Sequence, residues 1–332
     1  MTTQATPLKY LFPGWFSLVM GLAGLSLAWH RAVPLMGEMA GAVAMVIGVL
    51  AAAVFAALAV GSLLRAWRHP QAWREDAMHP VRHTFIAAIP IALLLVATVG
   101  IALTGPSAPV RAAWVLGSVA QWAVTLWMLS RWWRGPKAGG LQWASVTPAL
   151  FIPIVGNVLV PLAGVPLGHV EWSAAQFGVG LLFWPVVLVL MITRLAVQGP
   201  WPDRLKPTAF IVIAPPAVVG TALLQFDMPP LLAWMCWGMA LFGLFWAGAQ
   251  ARAIAALPFS LPHWALSFPL AALAALTLRL AAPGGALAVV GPALLALASI
   301  VILGLCAATL RGLRDGSLLA PEPVAPIVPA AG

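Results

Sequence analysis

The sequence predicts an all-α integral membrane protein in which ten transmembrane helices form five helical hairpins. Three observations point there: a composition foreign to water-soluble globules, ten apolar runs with short polar breaks, and basic residues that alternate in density between those breaks. Of 332 residues, 62% are hydrophobic and 8% charged, where soluble domains carry roughly 25% charged residues. Mean hydropathy is +0.99. Since a span needs about 20 apolar residues, the chain has room for ten of them and none for a large domain outside the bilayer.

The runs cover about 13–30, 39–64, 84–104, 111–130, 144–166, 172–193, 207–226, 229–251, 262–282 and 285–310. Only Lys9 precedes the first as a cation, and no small-residue cleavage site follows it, so it is expected to persist as a span. Residues 1–12 form a short cytoplasmic segment, 13–314 the membrane domain, and 315–332, rich in proline and alanine, a tail expected to lack structure.

Placing both termini and every even-to-odd connection on one side collects Lys9, Arg65, Arg68, Arg74, Arg82, Arg131, Arg134, Lys137, Arg194, Arg204, Lys206, Arg252, Arg311 and Arg314. Of the 17 Lys and Arg residues only Arg31, Arg111 and Arg279 remain for the other side. Because cations stay cytoplasmic, both termini are expected inside, in a plasma (inner) membrane. This topology accounts for the net charge of +9 without nucleic acid, which needs clustered basic faces in water.

An internal repeat marks the odd-numbered runs, which carry prolines well inside the bilayer: Pro90, Pro153, the pair Pro215 and Pro216, and Pro269. The first run has Gly14, Gly21 and Gly24 instead, and among the even runs only Pro185 and Pro292 break the rule. A proline lacks an N–H and pushes away the carbonyl four residues earlier, here Ile86, Ala149, Ile211 and Ala265. Lipid cannot satisfy those groups, whereas protein or a water-filled cavity can. The odd helices are therefore expected as an inner ring of five kinked helices around a pore. Straighter, Trp-bearing even helices such as "LLAWMCWGMALFGLFWAGAQ" form an outer ring of five.

Five segments, "FPGWFSLVMGLAGLSLAWH", "HPVRHTFIAAIPIALL", "FGVGLLFWPVVLVLMITRL", "LKPTAFIVIAPPAVV" and "HWALSFPLAAL", occur in an order and spacing that resemble the tellurite-resistance/dicarboxylate transporter family, which includes the plant slow anion channels. The resemblance covers nearly the whole chain except the tail. It implies a homotrimer with a separate anion pore in each protomer, occluded by a phenylalanine on the ninth helix. By position in "WALSFPL" that residue is Phe268, with Pro269 bending the helix so that the ring crosses the pore axis. Ser17 stands where the family's small glycine faces the gate, and Val19 replaces a nearby proline or cysteine.

Anion selectivity fits the residues themselves. The centres of the runs hold no Asp or Glu, whereas cation pathways display carboxylates. A break in an odd helix leaves a half-helix whose positive dipole end lies near mid-membrane, where hydroxyls and freed N–H groups can add weak contacts to an anion. Lys9, Arg82, Lys206 and His263 precede or open odd runs and are candidates to concentrate anions at the inner mouth, although simple positive-inside anchoring is the plainer explanation.

His79 and His83 have the spacing of a metal pair, but Pro80 between them argues against one, and Cys236 and Cys306 read as packing residues. No metal or cofactor is expected. The absence of an HExxH or DDxxD pattern places a membrane-embedded enzyme last. A gated anion channel or uniporter, with small anions and the lipid bilayer as partners, is the first reading. A proton-coupled C4-dicarboxylate or tellurite transporter is the alternative, and would need a protonatable group that the centres of the runs do not supply.

Overall fold

The computed structural model describes residues 7–135 and 140–320. Lys137, residues 1–6 of the N-terminal segment and residues 321–332 of the tail lie outside the described residues. Among the described residues the fold is entirely helical. Its principal helices are α1 (Ser17–Arg31), α2 (Glu38–Arg68), α3 (Ala88–Thr104), α4 (Ala108–Ser130), α5 (Phe151–Leu159), α6 (Val170–Gln198), α7 (Ala214–Gln225), α8 (Pro230–Gly248), α9 (Ser267–Leu280) and α10 (Leu287–Arg314). Counting the short helical turns continuous with them, 8 helical segments are long and apolar enough to cross a membrane. The two other expected spans are shorter: α1, and the interrupted stretch Pro148–Gly164 that contains α5.

The odd-numbered helices share a construction that differs from the expected kink. Each is led in by a 3-10 segment: Pro13–Phe16 before α1, Arg82–Ala87 before α3, Pro148–Leu150 before α5, Asp203–Ile213 before α7 and Leu261–Leu266 before α9. Pro90, Pro153, Pro215, Pro216 and Pro269 all fall in the first turn of the α-helix that follows. There a missing N–H and a fixed φ cost least. The expectation of α-helices broken in mid-course is thus corrected to a change of helical type ahead of each proline. The first helix shares the 3-10 lead-in, but its proline, Pro13, opens that lead-in, and α1 itself holds no proline.

Nor are the junction groups left bare. Ala88, Phe151 and Ala214 donate their N–H to the carbonyls of Ile86, Ala149 and Ile211, and Ser267 donates to Trp264. The junction N–H of each is thus bonded back into the 3-10 turn rather than freed. The prolines that do sit inside continuous α-helices are Pro185 of α6 and Pro292 of α10.

Burial separates the two sets. In the most apolar window of each odd segment that qualifies as a span, 56% to 72% of residues are buried (Arg82–Thr104 56%, Asp203–Gln225 72%, Leu261–Leu280 72%). The even ones stay at 22% to 33% (Glu38–Arg68 22%, Ala108–Trp133 33%) and turn residues such as Phe242, Phe245, Ile300 and Leu303 outward. Each odd helix packs on the even helix that follows it: α1 on α2, α3 on α4, α5 on α6, α7 on α8 and α9 on α10. Odd helices also pack on one another, α1 with α3, α3 with α5, α5 with α7, α7 with α9 and α9 with α1, and their 3-10 segments touch in the same order.

Hydrogen bonds tie the connections together at two ends. At one, Arg65 Nε donates to the Lys9 carbonyl (2.9 Å), Arg131 to the Ala77 carbonyl, Trp201 Nε1 to the Val146 carbonyl (3.0 Å) and Trp264 Nε1 to Thr309 Oγ1 (2.9 Å). At the other, Arg111 donates to the Leu167 carbonyl (3.3 Å) and Arg279 to the C-terminal turn of α7.

Candidate functional site

Two cavities lie among the odd helices and meet at one ring. The larger, of about 220 Å³, is bordered by Gly24, Leu27, His30 and Arg31 of α1, Thr98 and Ala102 of α3, Thr221 and Gln225 of α7, and Ala272 and Ala275 of α9, with Leu162 and Pro166 beyond α5. The smaller, of about 60 Å³, is bordered by Ser17 and Met20 of α1, Phe85 and Ile91, Ile152, Val155 and Leu159 of α5, Thr208 and Ala214, and Trp264 and Pro269. Phe268 borders both, and is the one residue common to the two linings.

That position follows from local structure. Side chains on an α-helix lean toward its N-terminus, so the second residue of α9 leans back over the junction with Leu261–Leu266. The ring is 6% exposed. Close approach of α1 and α9 holds it there. A Cβ on Gly24 would lie 3.0 Å from Cδ2 of Phe268 and 3.2 Å from the Ala271 Cβ. One on Gly21 would lie 2.4 Å from Ser267 Oγ and 2.7 Å from its Cβ. Glycine at these two positions is what lets the helices meet and the ring sit between the cavities.

Of the residues singled out in the sequence, Phe268, Ser17 and Pro269 come together on the smaller cavity. Ser17 turns its hydroxyl to the Gly14 carbonyl (2.7 Å), while Gly24, one helical turn further along from Gly21, faces the ring. Pro90, Pro153, Pro215 and Pro216 are buried but border neither cavity; their neighbours Ile91, Ile152 and Ala214 do. The Pro153 carbonyl instead accepts from Gln121 Nε2 (2.7 Å), Thr125 Oγ1 (2.8 Å) and Asn157 Nδ2 (3.0 Å), which satisfy it from α4 and from within α5.

The four basic candidates for the inner mouth also border neither cavity. Lys9 is exposed, and its carbonyl receives Arg65. Arg82 pairs with Asp76 (3.3 Å), which is also held by the buried Arg65 (2.8 Å). Burial raises the Asp76 carboxyl above its ordinary 3.8, outweighing the pull of the two arginines. This triad fastens the helix Pro70–Met78 to the start of the third span. Lys206 pairs with Asp203 (2.7 Å), and His263 Nδ1 accepts the Ser260 N–H (3.2 Å) at the start of its 3-10 segment.

His79 Nδ1 likewise accepts the N–H groups of Val81 and Arg82, each at 3.1 Å, and acts as a cap for the turn leading into Arg82–Ala87. Among the described residues no group of three or more His, Cys, Asp or Glu is placed to hold a metal.

Among the described residues the cation that borders the cavities is Arg31, at the end of α1 away from Lys9, with His30 beside it. Sequence reasoning placed Arg31 with Arg111 and Arg279 on the outer side and gave it no role. The signal that could have found it is its place at the end of an odd, buried helix. Among the described residues the smaller cavity has no charged side chain in its wall, and the larger has no carboxylate. The arrangement is two cavities that share the Phe268 ring, the smaller bordered by no charged side chain and the larger by Arg31, among the described residues.

Residues 10–310 match the protein family described as SLAC1: Voltage-dependent anion channel. The tellurite resistance protein TehA homolog of Haemophilus influenzae is 27% identical over 264 residues, which cover 79% of this chain and 78% of that protein. The S-type anion channel SLAH2 of Arabidopsis thaliana is 28% identical over 213 residues, 63% of this chain but 40% of the plant protein. An uncharacterized transporter of Methanocaldococcus jannaschii is 24% identical over 293 residues, with 79% and 82% covered.

Proposed function

Since the chain belongs to the SLAC1 voltage-dependent anion channel family, whose members are multi-pass anion channels and transporters, we propose that it is a gated anion channel or uniporter whose pore runs through a single protomer and is occluded by Phe268. The observation that carries this reading is the position of that one ring between two cavities, with all five odd segments contributing to the wall of the smaller. Charge supports the sign of the permeant ion: Arg31 borders the passage and no carboxylate does, among the described residues. An anion in the passage would also face the positive ends of α3, α5, α7 and α9, which begin near the constriction.

The pore is an inner ring of five helices wrapped by five outer ones. Support comes from the packing order, in which each odd helix touches the next and the fifth touches the first, and from the burial contrast between odd and even spans. The first, short of the span length as an α-helix alone, is long enough for the role with its lead-in. Four residues of 3-10 helix and 15 of α-helix rise roughly 30 Å together, about the thickness of the hydrocarbon layer. Both termini face the cytoplasm across a plasma membrane, on the strength of the basic residues gathered at the Lys9 end. The homotrimer rests on the family resemblance alone.

A second reading, proton-coupled transport of a C4-dicarboxylate or tellurite, is favoured by one observation: His30, a titratable group, borders the larger cavity. Anion flux from liposomes containing the purified protein decides between them. A channel gives flux that follows the anion gradient and voltage and is indifferent to an imposed proton gradient. Uphill anion accumulation driven by protons, lost in His30→Gln, would establish coupled transport instead.

A further inference from the structure

The basic mouth has a chemistry more specific than a diffuse positive charge. We infer that the larger cavity contains a recognition site for a small planar oxyanion, with Arg31 as its charged fork and the amide of Gln225 as second donor. Its role in permeation rests on the channel reading above, whereas its binding does not.

Arg31 ends α1, is half-buried, borders the cavity, and makes no hydrogen bond or ion pair with another described residue. A guanidinium taken partly out of water with its five N–H groups unmatched is costly unless water or an anion takes them. Gln225 ends α7 on the same cavity. Its Oε1 accepts Arg279 NH1 (3.0 Å), while Arg279 NH2 donates to the Leu224 carbonyl (2.9 Å). Arg279 therefore acts as a positioning residue: with the amide oxygen drawn to it, the N–H side of Gln225 is what remains for a ligand.

Of the other polar groups in the wall, His30 beside Arg31 offers one further ring N–H, whereas the two hydroxyls do not compete as donors. The hydroxyls of Thr98 and Thr221 are spent on the carbonyls of Leu94 (2.8 Å) and Ala217 (2.9 Å). The charges of Arg31 and Arg279 are close enough to act on each other, and the carboxylate that acts on Arg279, Asp227, stands on the exposed turn after α7 rather than in the cavity. Shape completes the argument. A guanidinium presents parallel N–H groups that two oxygens of a planar anion match at once and a halide cannot. At about 220 Å³, the cavity also leaves room for such an ion to keep several waters, each filling roughly 30 Å³.

The test is thermal unfolding of the detergent-purified protein in sodium formate against sodium chloride at equal ionic strength, with Arg31→Lys, Arg31→Gln and Arg279→Gln beside the parent. Formate should stabilise the parent more than chloride does. Arg31→Gln should weaken formate binding about tenfold or more, the loss of one charge-assisted pair. Arg31→Lys should keep the chloride response and lose the preference for formate, and Arg279→Gln should weaken formate while leaving Arg31 in place. Absence of any formate preference in the parent, or the parent's formate response in folded Arg31→Lys and Arg31→Gln, overturns the site. Anion currents measured on the same preparations separate the two readings: a protein that binds formate through Arg31 yet passes no anion, even as Phe268→Ala, overturns the channel and leaves the site standing.

Discussion

Single atoms decide how α1 meets α9. Gly21 has no room for a methyl group, because the nearest atoms belong to the short, stiff side chain of Ser267 rather than to the end of a flexible one. Gly21→Ala should therefore cost about 1–3 kcal/mol by overpacking, read as a lower unfolding midpoint, and adding Ser267→Gly should recover most of it. His79 carries a different prediction. Burial first, then the charges of Arg82, His83 and Arg204, pushes its pKa from 6.5 down to about 4, which suits a ring nitrogen that accepts two N–H groups. A base depressed in the folded state gives stability that is fully present above pH 6.5 and is lost as pH falls through about 4. His79→Asn, whose side-chain oxygen can accept the same bonds at any pH, should flatten that part of the stability–pH curve; a curve unchanged from the parent's contradicts the capping role. Residues of this kind were poorly legible beforehand. Phe268 could be placed from the resemblance of "WALSFPL" to a family segment, but for Arg31 and Gln225 the sequence offered only their place at the ends of odd helices, and that both border one cavity shows once α1 and α7 are packed. Ser17 drew attention as a neighbour of Phe268, and the closer one, Gly24, is visible only once α1 and α9 are packed.

The helices themselves show why a pattern can be read correctly and its cause misjudged. Proline spacing marked α3, α5, α7 and α9 as special, and burial separates the segments of α3, α7 and α9 from the even set. What the spacing could not show is that the chain ahead of each proline winds as a 3-10 helix, since 3-10 and α segments share the same apolar composition. The glycine-bearing first helix shares that 3-10 lead-in, which Pro13 opens. Because these prolines occupy first turns, removing one breaks no mid-helix hydrogen bond. Pro90→Ala and Pro153→Ala should each change stability by less than about 1 kcal/mol, since the substitution mainly alters the freedom of the unfolded chain. Both should still reduce anion flux, because a regularised junction would shift Ile91, Ile152 and Val155 on the wall of the smaller cavity. Parental flux from both variants would mean that the prolines serve packing alone.

At the scale of the whole molecule, the composition and the long apolar runs already dictated a helical membrane protein. The order in which odd helices pack on one another was not in the sequence, because it depends on contacts between segments scores of residues apart. From that order comes the central claim, a passage along the odd helices closed by one aromatic ring. Chloride or nitrate current through reconstituted Phe268→Ala, at matched protein density and beside the parent, tests it most directly. Truncating a buried Phe ordinarily costs about 3–5 kcal/mol by leaving a cavity, so folding of the variant is verified in the same preparation by its elution as a single species and its unfolding midpoint. If the ring is the barrier, the current rises while selectivity for anions over cations persists, since no charged group has been removed. A folded Phe268→Ala that carries no more current than the parent would contradict the account.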